Sequence, residues 1–134
     1  MSSDAGYPLR TSTDPRHQLG AVGERLAVEH LERRGFRILE RNYRTRWGEL
    51  DIVAYDGHTL AFCEVKTRTM GARGGTPFEA LRPRKQGRVR KMAGRWLQER
   101  ADRPFAAEIR CDAIGVMFDR AGGLVSIEHL EGAF

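Results

Sequence analysis

An α/β domain is predicted for this chain of 134 residues, its elements running helix, three strands, helix, two strands. Three observations predict it. Apolar residues recur at helical intervals over His17–Arg34, and again from Arg84 to about Ala101. Between these helices, and after the second, stand β-rich apolar runs bounded by Gly, Asp and Asn. The length suits one domain with a single substantial core.

Residues 1–16 are polar, without periodicity, and are expected to form a disordered tail, leaving 17–134 as the domain. In the first helix Leu19, Val22, Leu26, Ala27, His30 and Leu31 make the apolar stripe, and Gly35 follows at a stop position. Glu24 borders that stripe. It is either an exposed helical acid or, if the helix packs beside acidic strands, part of a carboxylate group.

Phe36–Thr45 reads as the first strand. The link Arg44-Thr45-Arg46-Trp47 offers two cations and an indole, suited to gripping a nucleic-acid backbone and stacking on a base. Equally, Trp47 can cover the end of the core.

The stretch Gly48–Arg68 is the centre of the chain. Asp56-Gly57 suits a tight hairpin turn, which predicts Tyr55 opposite His58, Glu49 opposite Glu64 and Asp51 opposite Phe62. Alternation then places Glu49, Asp51, Val53, Phe62, Glu64 and Lys66 on one side. Leu50, Ile52, Ala54, Ala61, Cys63 and Val65 take the other, as core. Carboxylates held close repel one another and must take up protons or find a cation. Mg²⁺, bound through one or two carboxylates and waters, resolves the conflict. The spacing leaves a second reading open, in which Glu49 and Glu64 are solvated and Lys66 is a surface ion-pair partner.

Thr69–Gly75 is a glycine-rich basic loop without a nucleotide-phosphate pattern. Thr76-Pro77-Phe78-Glu79 reads as a helix start, and Pro83 interrupts that short helix and opens the next. In the next, Val89, Met92, Ala93, Trp96 and Leu97 form an apolar stripe beside a basic one of Arg84, Arg88, Lys91 and Arg95. From Arg82 to Arg100 the only acid is Glu99. Solvated faces normally mix signs, so the run, with a net charge of +5, favours phosphate contact. Lys85 belongs to the same basic run, and Gln86 lies near the helix start, within reach of the carboxylates or of backbone groups.

Glu108–Phe118 and Leu124–Leu130 are the last strands, joined by a turn over 119–123. Asp112 is expected to bond a nearby arginine. Cys63 and Cys111 lie in apolar runs and are expected to be core residues, and no zinc-ligand spacing occurs. The longest apolar stretch, Ala113–Phe118, is too short to span a membrane, and no signal peptide is evident, so a cytoplasmic location is expected.

The acids on the second and third strands resemble those of the restriction-endonuclease-like, or PD-(D/E)XK, nuclease superfamily. Asp51 matches its second-strand aspartate, Glu64-Val65-Lys66 its (D/E)-x-K, and Glu24 its first-helix acid. The finer similarity is to the YraN-like family of predicted endonucleases. It runs through Gly23-Glu24, Asn42-Tyr43-Arg44, Gly48-Glu49-Leu50-Asp51, Phe62 to Arg68, Lys85-Gln86, Cys111-Asp112 and Gly132-Ala133-Phe134.

The resemblance implies a restriction-endonuclease-like core with a central mixed five-stranded sheet flanked by helices. It also implies a Mg²⁺- or Mn²⁺-dependent nuclease in which Asp51 and Glu64 hold metal and Glu24 or Glu49 adds an acid. Lys66 would position water and meet charge on the phosphate. Arg44, Arg46 and the Arg84–Arg95 stripe would hold nucleic acid, DNA more readily than RNA. Two other readings are a binding module that keeps the fold without catalysis, and a protein-interaction scaffold.

Overall fold

A computed structural model describes residues 15–71 and 83–134, with side chains described over 18–71 and from 87 onward. The predicted tail lies outside these residues up to residue 14. So do the loop beyond Gly71, the Thr76–Glu79 helix start, Arg82, and the side chains of Arg84, Lys85 and Gln86.

The elements are α1 (Pro15–Arg33), β1 (Arg37–Thr45), β2 (Gly48–Tyr55), β3 (Thr59–Thr69), α2 (Pro83–Glu99), β4 (Glu108–Phe118) and β5 (Leu124–Leu130). They form one five-stranded sheet in the order β1-β2-β3-β4-β5. Only β3 and β4 run parallel. A parallel neighbour needs a long crossover, and α2 lies on the one that joins them.

Both faces of the sheet are core. Ala27 and Leu31 of α1 pack with Ile52, Ala54, Ala61, Cys63, Ile114 and Val116. Val89, Met92 and Trp96 of α2 pack with Val53, Leu60 and Phe62. Residues adjacent along β2 and β3 alternate between the two groups, so the helices cover opposite faces. This explains the unbroken apolar run Leu60–Cys63 in the first half of β3: that half is buried on both sides.

The hairpin register differs from the sequence expectation by two residues. Tyr55 pairs with Leu60 and Ile52 with Cys63. The cause is Asp56, whose Oδ1 accepts from the backbone N–H of His58 (2.9 Å) and Thr59 (2.7 Å), building a longer Asx-type loop. An even shift keeps side chains on their faces. The predicted six-residue acidic side nevertheless does not form. Leu50 packs on the α2 side and Ile52 on the α1 side, so the alternation breaks at Asp51. Across from Asp51 in the β1–β2 register stands Asn42, held at φ 56°. The β1–β2 pairing runs on through this point to Thr45 and Gly48, whereas the β2–β3 ladder ends at Ile52 and Cys63.

Asp112 is fully buried and bonds an arginine as expected: Arg110 donates from Nε at 2.9 Å and from Nη2 at 3.1 Å. It also accepts from His129 Nε2 (2.8 Å) and the Gly132 N–H (2.9 Å). Burial raises its pKa, but these donors outweigh burial and hold it below the usual aspartate value. The other ring nitrogen of His129 lies 3.1 Å from His30 Nε2, so one chain of bonds ties α1 through β5 to β4. Cys63 is buried, Cys111 half-buried, and both are free.

Candidate active site

Glu24, Glu49 and Asp51 come together beside Asn42, beyond the end of the β2–β3 ladder. One carboxylate oxygen from each lies within 4.8 Å of the others. Glu24 arrives from α1 because Gly23 allows the helix to lie against β3; a Cβ there would collide with the Thr67 hydroxyl. Asn42 spans the group, its amide donating to Glu24 (3.0 Å) and reaching Glu49 (3.4 Å). Arg41 and Arg44 flank it, each 3.6 Å from Glu24 and Glu49 respectively. Asp51 turns inward, and its Oδ2 accepts the Val65 N–H at 2.7 Å.

Burial pushes the Asp51 pKa up to about 7. The Val65 N–H opposes that rise, while the charges of Glu24, Glu64 and Glu49 add to it. A carboxylate pressed by three like charges is stabilised in its ionised form by a cation. The three residues offer hard oxygen donors from two elements that could hold a hard divalent cation.

Glu64 stands outside this trio. It is 3% exposed, which rules out the solvated reading. Its carboxylate lies 3.2 Å from Lys66 Nζ and 3.8 Å from Arg88 of α2. Arg88 passes over Gly48 of β2, whose φ of 128° favours glycine. Of the predicted site residues, the structure therefore joins Asp51 and Glu49 to Glu24, and Glu64 to Lys66 and Arg88. Glu64 and Asp51 meet through the field between them.

Of the basic stripe, the side chains of Arg88, Lys91 and Arg95 are described. Arg88, Lys91 and Arg95 fall on one helix face by their spacing. Lys91 and Arg95 are exposed, with Arg95 Nε bonded to Glu99 at 2.8 Å. Arg100, at the end of the basic run, is held by Glu40, which takes its guanidinium at 2.7 and 3.0 Å and also accepts from Trp96 Nε1 at 2.8 Å. Arg46 lies over the Trp47 ring, 4.8 Å from its centroid. Sequence reasoning assigned no role to Asn42 or Arg41. An Asn inside a β-rich run, where it is a poor strand former but tolerates positive φ, was the available signal.

The mixed five-stranded sheet between two helices, with acids from α1 and β2 brought together and Glu64 of β3 nearby, is an α/β domain compatible with a restriction-endonuclease-like core. The chain belongs to the uncharacterised protein family UPF0102, the YraN-like family, whose model matches residues 23–116. The matched span holds Glu24, Asn42, Glu49, Asp51, Glu64, Lys66 and Asp112. The chain is 52% identical over 123 residues to a UPF0102 protein of Mycobacterium avium, covering 90% of this chain and 93% of that one. It is 45% identical over 127 residues to one of Acidothermus cellulolyticus, covering 89% and 95%. A Frankia casuarinae relative is 47% identical over 117 residues, covering 87% and 95%. Among the described residues no helix is long and apolar enough to cross a membrane.

Proposed function

We propose that this protein is a Mg²⁺- or Mn²⁺-dependent nuclease that hydrolyses phosphodiester bonds, in DNA foremost. The observation that carries the reading is the carboxylate trio of Glu24, Glu49 and Asp51 beside the buried Glu64 and its half-buried partner Lys66. Asp51 and Glu49 would hold the cation, with Glu24 or Glu64 completing its shell. Such a cation, when bound, supplies Lewis acidity toward a phosphoryl oxygen and acidifies water. Lys66 places an ammonium where charge builds on the scissile phosphate, and Glu64 keeps that ammonium in position. Lys91, Arg95 and Arg88 hold the backbone, which orients a substrate without reading its sequence.

The test is cleavage of labelled DNA and RNA, linear and branched, with Mg²⁺ or Mn²⁺. Asp51→Ala should abolish cleavage and Mn²⁺ binding together. Salt-sensitive binding with no cleavage on any substrate would make the protein a binding module instead. Binding indifferent to salt would point to a protein-interaction scaffold.

The basic stripe makes a separate prediction. Each phosphate contact contributes about 0.9 to the slope of log K against log salt on duplex DNA. Replacing Arg88, Lys91 and Arg95 together by glutamine should therefore flatten the slope by roughly 2–3. An unchanged slope would leave the stripe as solvated surface.

A further inference from the structure

Between the β1–β2 turn and α2 lies a cavity of about 120 Å³, lined by Arg44, Arg46 and Trp47 from the turn and by Arg95 and Glu99 from α2. Its charge balance is cationic. Three arginines face one acid, and that acid is already engaged, accepting from the Tyr43 hydroxyl at 2.6 Å and from Arg95 at 2.8 Å. The wall also carries a flat apolar surface, the half-buried Trp47 ring. The Arg46 guanidinium covers the ring at 4.8 Å from its centroid, so a base stacks there by displacing Arg46, whose long side chain then turns to the phosphate. The scale is that of one ring, since an engineered cavity of about 150 Å³ holds benzene.

The cavity adjoins the carboxylate trio. Arg44 lines the one and lies 3.6 Å from Glu49 of the other. A ligand here needs an anionic group for the arginines and a flat ring for the indole, and it must sit beside the proposed cleavage site. A nucleotide has both. Inside a duplex, however, each base face is covered by its neighbours, so an indole can stack only on a base that has left the stack.

We infer that this cavity is a subsite for a single unpaired nucleotide, its base on Trp47 and its phosphate among Arg44, Arg46 and Arg95. The substrate class is then nucleic acid carrying unpaired nucleotides, such as tails, flaps or junctions, rather than uninterrupted duplex. The ligand class rests on the nucleic-acid reading above, and the subsite does not require catalysis.

The experiment compares binding of a fluorescein-labelled DNA hairpin with a blunt end against the same hairpin with a three-nucleotide unpaired tail. Both are measured in EDTA, so cleavage plays no part. The wild-type protein should bind the tailed probe about five- to a hundredfold more tightly, the range of one base–aromatic stack. Trp47→Ala should bring the tailed probe down to the blunt one, leaving the blunt affinity unchanged. Trp47→Phe, which keeps a stacking ring, should retain most of the preference. Equal wild-type affinity for the two probes overturns the inference without any variant having to fold. So does an equal loss on both probes in Trp47→Ala, or a loss in Trp47→Phe as large as in Trp47→Ala. A protein that prefers the tailed probe but never cleaves refutes the nuclease reading alone; an active nuclease without the preference refutes the subsite alone.

Discussion

Lys66→Ala is expected to lower the cleavage rate by about 10²–10³, the usual effect of deleting one preorganised electrostatic donor. Lys66 Nζ lies 3.2 Å from Glu64 and outside the Glu24–Glu49–Asp51 trio. Mn²⁺ affinity, measured calorimetrically, should therefore stay close to wild type. DNA affinity should fall only modestly, since one cation among several is lost. Asp51→Ala should remove metal binding and cleavage at once, and adding Lys66→Ala to it should cost almost nothing more, because the residues act as a unit. Removing Lys66 leaves buried Glu64 with Arg88 at 3.8 Å, so thermal unfolding of the variant must accompany the kinetics. Single-turnover rates equal to those of the identically purified parent would overturn the catalytic role.

The sequence made most of the fold legible, because its helices and strands carry clean periodicities. The last two strands match their predicted limits, and the sheet is the expected mixed five-stranded one. The family resemblance also stands, since it rested on an ordered set of motifs along nearly the whole chain. The detail of the hairpin was less accessible. Asp56-Gly57 is a good two-residue turn in isolation, but the Asp56 carboxylate captures two backbone N–H groups and widens the loop. The single acidic face failed for a different reason. Strict alternation assumes an even strand, whereas Asn42 at positive φ and the inward Asp51 break the pleat where the acids lie. Glu24 was the reverse case: its helical position left its partners open, and only the packing of Gly23 on Thr67 brings it to the strands.

Asp112→Ala should be the most destabilising single change among the described residues, by about 3–5 kcal/mol, because it leaves buried partners uncompensated. The side chain is fully buried, and the Arg110 and His129 side chains it serves are only 16% and 4% exposed. Alanine would take from Arg110 its two-bond acceptor, leaving it Glu108 at 3.6 Å and Glu131 at 3.5 Å, and would remove the acceptor for His129 Nε2 and the Gly132 N–H. For a domain of this size the melting temperature should fall by roughly 10–20 °C. Asp112→Asn keeps the shape and one acceptor, so it should cost less. The pH dependence separates this structural role from a chemical one. A carboxyl held below 3.8 in the folded state contributes stability that is fully present above 3.8 and is lost as pH falls through the lower, folded value. The part of the stability gap between parent and Asp112→Asn that comes from the carboxylate should therefore close in strong acid, as the pH falls through the folded value. Melting curves of the two proteins across pH 2–7 measure it. A variant that melts with the parent yet has lost cleavage would instead place Asp112 in the active site, although Arg110, His129 and Gly132 already occupy its carboxylate.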